Sequence, residues 1–486
     1  MTGLHSSSLS EAHDNVVIPF YSREGVAPGI VHLGLGGFAR AHLAMYLDAL
    51  LAAGGDPAWS LSGVGLMPGD AAMRDALAAQ DRLYTLVTRA TADDAEARII
   101  GSIAEYLFAP DDPEAVVERL AAPTTHLVTL TVTEAGYGRG EHGFDLDRAG
   151  ARADAQPGAT PTTAWGFLAA ALRRRRERGL PAFTVLSCDN MPGNGEIARE
   201  ALLGFASSAD PGLAEWIAAE VAFPSCMVDR ITPATTDRDR EETAVLTGLD
   251  DRWPVCSERF AQWVIEDRFS GPRPPVERVG AQLVADVAPY ESMKLRLLNA
   301  SHQVMSYLGL LAGFAEVHEV CDDPDFARFL ADYMAEEATP TLDEVPGIDL
   351  AEYRAQLLRR FRNRAIRDTL ARQVVDGSSR IPVFLLPVIA DLATAGRPFP
   401  RSALVLAAWH ACLAGGAADP SSRLITADAR LGELEAAAAA DPGGADGFLD
   451  AVYGAAVPGA VRDAVRAAAT ALRELGPREA VRSLAD

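Results

Sequence analysis

Gly29-Ile-Val-His-Leu33, followed at once by Gly34-Leu-Gly36-Gly37-Phe38-Ala39, is the stretch on which the reading of this chain turns. The first five residues are a short apolar strand, and a helical pattern runs on from Phe38 to Ala53. The glycines between them fit G-x-G-x-x-[G/A]. Gly34 serves the tight turn, Gly36 lets a pyrophosphate approach the backbone, and small Ala39 lets helix and strand pack. A helix N-terminus at this point attracts phosphate charge. The expectation is a dinucleotide site using Gly34, Gly36, Gly37 and Phe38; the plainer alternative is a glycine-rich turn that binds nothing. The ribose-binding acid should lie near the tip of the second strand, where the sequence reads Gly65-Leu-Met-Pro-Gly-Asp70. Asp70 is the nearest carboxylate, and it equally suits the N-cap of a helix at Ala71–Ala79.

Working outward, further strands are expected at Trp59–Leu66, Thr125–Thr133 and Ala182–Ser187, with helical patterns between them. That alternation indicates βαβ units and a parallel sheet. A proline-bearing loop at Phe269–Arg278 ends this region, and strand-like runs then become scarce. Helices are expected at Tyr290–Phe314, Asp325–Glu337, Leu350–Val375 and Ser402–Ala414. The predicted architecture is α/β: a Rossmann-type dinucleotide-binding domain over residues 1–285, then a mainly α-helical substrate and catalytic domain over 286–486. Arg173–Arg176 reads as the solvated end of a helix, where cations complement the dipole.

Composition narrows the function classes. With 67 acids against 44 bases, the net charge of −23 argues against nucleic acid and anionic membranes as partners. Five dispersed cysteines without a CxxC pair suggest a reducing cytoplasm rather than a disulfide framework. No signal peptide is visible at Met1-Thr-Gly-Leu-His5, and no apolar run approaches the roughly 20 residues of a bilayer span. No Cys/His set has zinc-ligand spacing, so no metal is expected.

The richest segment is Pro289-Tyr-Glu-Ser-Met-Lys-Leu-Arg-Leu-Leu-Asn-Ala-Ser-His302. On an α-helical wheel Glu291, Lys294, Asn299 and His302 share one side with Leu295 and Leu298. Such a mixed face is neither plain core nor plain surface. Removing hydride from a carbinol carbon requires a base for the hydroxyl proton, a role open to a partly buried lysine, with a carboxamide such as Asn299 holding the developing alkoxide. The alternative is a Glu291–Lys294 surface ion pair beside an ordinary core histidine. Tyr290-Glu-Ser-Met-Lys294 also spells the Y-x-x-x-K signature of short-chain dehydrogenases, but the length, the glycine pattern and the tyrosine's position do not fit that family.

Six segments taken in order resemble the polyol-specific long-chain dehydrogenases, the mannitol dehydrogenase family. They are Val31-His-Leu-Gly-Leu-Gly-Gly-Phe-Ala-Arg-Ala-His42, Leu130-Thr-Val-Thr-Glu-Ala-Gly-Tyr137, Ser187-Cys-Asp-Asn-Met-Pro-Gly-Asn-Gly195, Phe223-Pro-Ser-Cys-Met-Val-Asp-Arg-Ile-Thr-Pro233, Lys294-x4-Asn299-x2-His302 and Gly377-Ser-Ser-Arg-Ile-Pro382. The resemblance implies a cytoplasmic, metal-independent, NAD-dependent enzyme, a monomer or small homo-oligomer, acting on a polyol or its 2-ketose. D-Mannitol and D-fructose come first, D-arabinitol and D-xylulose second. It implies Lys294 as general base, Asn190 and Asn299 on the reacting oxygen, His302 orienting the substrate, Asp229 supporting the site and Glu291 relaying the proton. Arg372 and Arg380 would bind substrate hydroxyls. The chain departs from the family at Ala39, usually histidine, and at Gly69, an acid in some NAD-dependent members. The rivals are a fructuronate-type uronate reductase of the same family, which must bind a carboxylate, and a non-catalytic NAD-binding protein.

Overall fold

Four of the five strands at the centre of the N-terminal part are buried along their whole length, as a sheet covered on both faces requires. In the computed structural model, which describes residues 2–91, 94–140, 143–148, 150–443, 445–454 and 457–484, these strands are β1 (Ile30–Leu33), β2 (Leu61–Gly65), β3 (Ile103–Phe108), β4 (Leu127–Leu130) and β5 (Thr184–Ser187). All pair in parallel, in the order β5-β4-β1-β2-β3. The order reverses between β1 and β4, the point beyond whose carboxyl ends ligands bind in open α/β sheets. One apolar core gathers Trp165, Phe167, Phe183 and Phe205 from the helices Ala164–Glu177 and Asn194–Ala209 and the start of β5. The other gathers Leu47, Leu77, Tyr84 and Trp263.

Two three-stranded sheets that the sequence reading did not anticipate flank this unit: Tyr84–Arg89 with Ala95–Ile100 and Val255–Glu258, and Cys226–Asp229 with Gln262–Glu266 and Gln282–Val284. The helix expected over Phe38–Ala53 is two helices, Gly37–Ala41 and Leu43–Ala52, broken at His42 (φ −113°, ψ −84°). The break turns the His42 ring inward, where it pairs with the Gln262 carbonyl at 2.8 Å and stacks on Phe38. Arg175 corrects the reading of Arg173–Arg176 as solvated. It is 1% exposed and donates to the carbonyls of Pro181, Ala122 and Thr125 at 2.7, 2.7 and 3.1 Å, tying the helix end to the loops before β4 and β5. Burial pulls its guanidinium down to about 10.

The chain divides into Met1–Ala288 and Pro289–Asp486. Among its described residues the second unit is helical, built round Pro400–Ala418, which is apolar on nearly every side and packs against Ala300–Leu311 and Gly459–Arg482. The Leu350–Val375 helix of the sequence reading is interrupted: Leu350–Phe361 and Leu370–Gln373 are separate. The stretch between them is anchored by backbone bonds from Val317 to the Asp368 carbonyl (2.9 Å) and from Leu370 to the Ala315 carbonyl (2.9 Å). No helix among the described residues is long and apolar enough to cross a membrane.

Candidate active site

The turn after β1 shows why its residues are glycines. Gly34 sits at φ +87°, and a Cβ there would lie 2.3 Å from the Thr131 carbonyl oxygen beyond β4. Gly36 is exposed, and a Cβ on it would meet nothing nearer than 3.9 Å; its backbone is open to a ligand. Below the turn, buried His32 bridges β1 to β4 through Thr129 Oγ1 (2.7 Å) and Thr131 Oγ1 (2.9 Å). Thr131 Oγ1 donates to the Gly34 carbonyl at 2.8 Å. It must therefore accept from His32 Nε2–H, and in the neutral ring Nδ1 then accepts from Thr129. Burial lowers the ring's pKa to about 4. Downstream, Arg40 is 1% exposed, donates to the Trp253 carbonyl at 2.6 Å and lies over the Tyr84 ring.

At the tip of β2, Asp70 closes a short turn by accepting the Met67 N–H at 2.9 Å. Its side chain makes no cap bond to the helix Ala71–Ala79, so it is not the side-chain cap the sequence also allowed. Arg74, the first cation beyond the tip, is held by Asp75 (2.8 Å) and Asp111 (2.6 Å) and stacks over Phe108, whose strand position pairs with Gly65.

The loops after β4 and β5 are joined by one carboxylate. Asp189 accepts from the backbone N–H of Val132 and of Thr133, both at 3.0 Å, and from Tyr137 Oη at 2.7 Å. Thr133 lies at φ +64°, backbone that a non-glycine residue adopts only when its surroundings fix it. Burial pushes the Asp189 carboxyl up against those hydrogen bonds. Asn190, the next residue, is exposed. Asn194 then crosses to the strand Cys226–Asp229, donating to the carbonyls of Asp189 (3.0 Å) and Cys226 (2.8 Å) and accepting from the Cys226 N–H (3.0 Å). That strand ends at Asp229, 3% exposed. The Arg230 guanidinium donates to the carbonyls of Ala41 (2.7 Å) and Glu258 (3.0 Å). Three sequence segments more than 30 residues apart are thus physically cross-linked, with Asn194 and Asp189, which the sequence reading left without a role, as the links. A buried strand running straight into Asp189-Asn190 was the available signal.

In the second unit Glu291, Lys294, Asn299 and His302 lie on one continuous helical run, at 7%, 6%, 8% and 7% exposure. The alternative of a Glu291–Lys294 pair on the surface does not agree with that burial. Lys294–Asn299 is wound as a π-helix: the Ala300 N–H reaches back five residues to the Leu295 carbonyl. At roughly 80° per residue, five π steps bring Asn299 to about 45° from Lys294, where an unbroken α-helix leaves it about 140° away. The four polar groups then span about 75° rather than about 140° of the helix circumference. Asn299 Oδ1 is buried and receives no hydrogen bond from the described residues.

His302 packs edge-on against Phe361 and lies with Nε2 3.9 Å from Asp368 Oδ2. Asp368, 3% exposed, accepts from Arg372 Nε (2.9 Å) and from Gln373 Nε2 (2.7 Å), and its ion pair with Arg372 brings NH2 to 2.7 Å. The Gln373 carbonyl in turn receives Gln303 Nε2 (3.1 Å) and Arg380 NH1 (3.2 Å). The structure therefore gathers His302 and Arg372 round one buried carboxylate that sequence reasoning missed, with Arg380 on the neighbouring Gln373 carbonyl. Among the described residues no group of three or more His, Cys, Asp or Glu side chains could hold a metal ion.

The chain and its fold match those of known proteins. The model of the mannitol dehydrogenase Rossmann domain matches residues 28–278, and that of the mannitol dehydrogenase C-terminal domain matches residues 286–454. A mannitol 2-dehydrogenase of Phaeosphaeria nodorum is 48% identical, over 85% of this chain and 73% of that protein. One of Aspergillus terreus is 47% identical, over 88% and 89%. Among solved structures, the ternary complex of Pseudomonas fluorescens mannitol 2-dehydrogenase with NAD and D-mannitol superposes with a TM-score of 0.91 at 41% identity, covering 99% of both chains. A substrate-free D-sorbitol dehydrogenase reaches 0.86 at 34% identity, covering 99% of this chain and 100% of that one.

Proposed function

Because the chain belongs to the mannitol dehydrogenase family, we propose that it is an NAD-dependent, metal-independent polyol 2-dehydrogenase interconverting D-mannitol and D-fructose. D-Arabinitol and D-xylulose are the next pair. The observation that carries this reading is the buried π-wound segment that draws Lys294 and Asn299 together between Glu291 and His302.

The glycine turn fits the cofactor: Gly34 leaves no room for a Cβ, and Gly36 exposes its backbone at the start of a helix. NAD, when bound, supplies the hydride acceptor. The Lys294 amine takes the proton from the C2 hydroxyl, and Glu291 passes it toward solvent. The amide groups of Asn190 and Asn299 hold the oxygen as it gains negative charge. His302, Arg372 and Arg380 hold the remaining hydroxyls, and Asp229 supports the site from the end of its strand. Asp70 receives the ribose hydroxyls, while Arg74, already held by two aspartates, offers little to a 2′-phosphate.

The test is a panel of D-mannitol, D-arabinitol, D-sorbitol and D-fructuronate with their redox partners, followed by NADH absorbance. The expected order puts the mannitol–fructose pair first. Fastest turnover of fructuronate would replace this reading with a uronate reductase.

A further inference from the structure

We infer that Asp368 sets substrate specificity by positioning and neutralising Arg372, so that the site takes an uncharged polyol or ketose in preference to a sugar acid. The inference rests on the proposed assignment of Arg372 and His302 to substrate. Asp368 is 3% exposed, whereas the Arg372 side chain is 49% exposed. The guanidinium thus lays one edge, Nε and NH2, on a buried carboxylate and keeps its other N–H groups outward. The opposite edge of Asp368 accepts from Gln373 Nε2 and faces His302 Nε2 at 3.9 Å. One carboxylate therefore fixes the direction of Arg372 and lies beside His302, two of the three groups assigned to substrate hydroxyls. Through the Gln373 carbonyl it also bears on Arg380.

The same contact decides charge. A lone arginine is a strong carboxylate binder through its planar fork. Here the edge best suited to a bidentate pair is occupied, and the local charge is balanced. A neutral hydroxyl still finds N–H donors, while a sugar carboxylate meets at Arg372 a guanidinium whose charge is already balanced. The backbone bonds from Val317 and Leu370 that hold residues 368–370 make this a fixed arrangement rather than a surface pair of small worth.

Steady-state kinetics of Asp368→Asn tests the idea. KM for D-fructose should rise about 10-fold or more with kcat changed much less, and the Kd for NADH should not move. The ratio of kcat/KM for a ketohexuronate to that for the ketohexose should rise about 10-fold. Asp368→Glu, which keeps the charge, should leave that ratio near wild type even where KM shifts. In an Arg372→Gln background, adding Asp368→Asn should alter KM by less than about twofold, because the coupled partner is gone. A lowered melting temperature with unchanged KM and unchanged ratio overturns the inference and leaves Asp368 structural. Should Asp368→Asn fail to fold, the wild type decides: a hexuronate must inhibit no more tightly than D-fructose binds, and inhibition 10-fold tighter overturns the proposal. Absence of any polyol turnover in the wild type would overturn the functional reading itself, a result distinct from all of these.

Discussion

Lys294 is 6% exposed on a helix where a solvated surface would be the ordinary place for an amine. Burial of that kind costs free energy unless the amine has work or partners, and its neighbours on the same face, Glu291, Asn299 and His302, are polar and buried too. Lys294→Ala should lower kcat by about 10²–10⁴-fold while leaving NADH affinity and the melting temperature close to wild type. Near-normal turnover in the purified variant would remove lysine from the mechanism. His32 gives a second expectation, this one in pH. Its folded-state pKa is about 4 against an ordinary 6.5, because burial disfavours the cation. Between those values the unfolded chain binds more protons, so the neutral ring's contribution is complete above about 6.5 and is lost as pH falls toward 4. The stability difference between wild type and His32→Asn should shrink by about 3 kcal/mol from pH 7 to pH 4. Denaturant titrations at the two pH values measure it, and a constant difference would show that the ring is not held neutral.

The glycine turn and the π-wound segment belong to the scale of elements, and they separate what a sequence shows from what it hides. Gly34 and Gly36 look alike as letters but face different surroundings. A methyl group on Gly34 would strike the Thr131 carbonyl, whereas one on Gly36 would find only the Gly34 carbonyl oxygen, 3.9 Å away. Gly34→Ala should therefore lower the melting temperature and abolish NADH binding together. Gly36→Ala should leave the melting temperature alone and weaken NADH binding, which calorimetry and a thermal melt distinguish. Equal losses of stability in the two variants would contradict this division. The βαβ alternation was legible because buried parallel strands read as short runs rich in apolar residues, as Ile30–Leu33 and Leu127–Leu130 do. The break at His42 was not, since helical periodicity continues through it and only the distant Gln262 carbonyl explains the turn. Arg175 was misread because a basic run at a helix end has a local explanation that needs no partner, while its actual partners lie 50 and 53 residues away or beyond the following turn. The π-helix has no local signature in Lys294-Leu-Arg-Leu-Leu-Asn299, although the four polar residues it aligns were visible as a group. Asp368 was hidden for the opposite reason: it sits in a stretch that helical periodicity ran straight through.

At the scale of the whole molecule the governing quantity is a net charge of −23, which opposes the approach of any anion. The proposed lysine base needs no metal, so prolonged dialysis against a chelator should leave activity intact; a loss restored by zinc would refute the lysine mechanism. Cofactor choice tests charge more finely. NADPH carries one phosphate more than NADH, and the tip of β2 offers that phosphate Asp70, Asp75 and Asp111, with Arg74 already bound to the last two. Local acids and the overall field therefore act in the same direction and favour NAD. The two contributions differ in range, and salt tells them apart: charges farther apart than about 10 Å are largely screened at about 0.1 M ionic strength, while groups in contact are not. Raising ionic strength from about 10 mM to about 0.5 M should narrow the NAD-to-NADP ratio of kcat/KM without erasing it. KM for a neutral polyol should not move over the same range. Asp70→Ala should narrow the ratio further at both salt concentrations, mainly by weakening NAD through loss of the ribose contact. A ratio indifferent to salt would mean that the field of the molecule plays no part in choosing the cofactor. A ratio indifferent to Asp70→Ala would leave that carboxylate with only the Met67 N–H it holds in the turn.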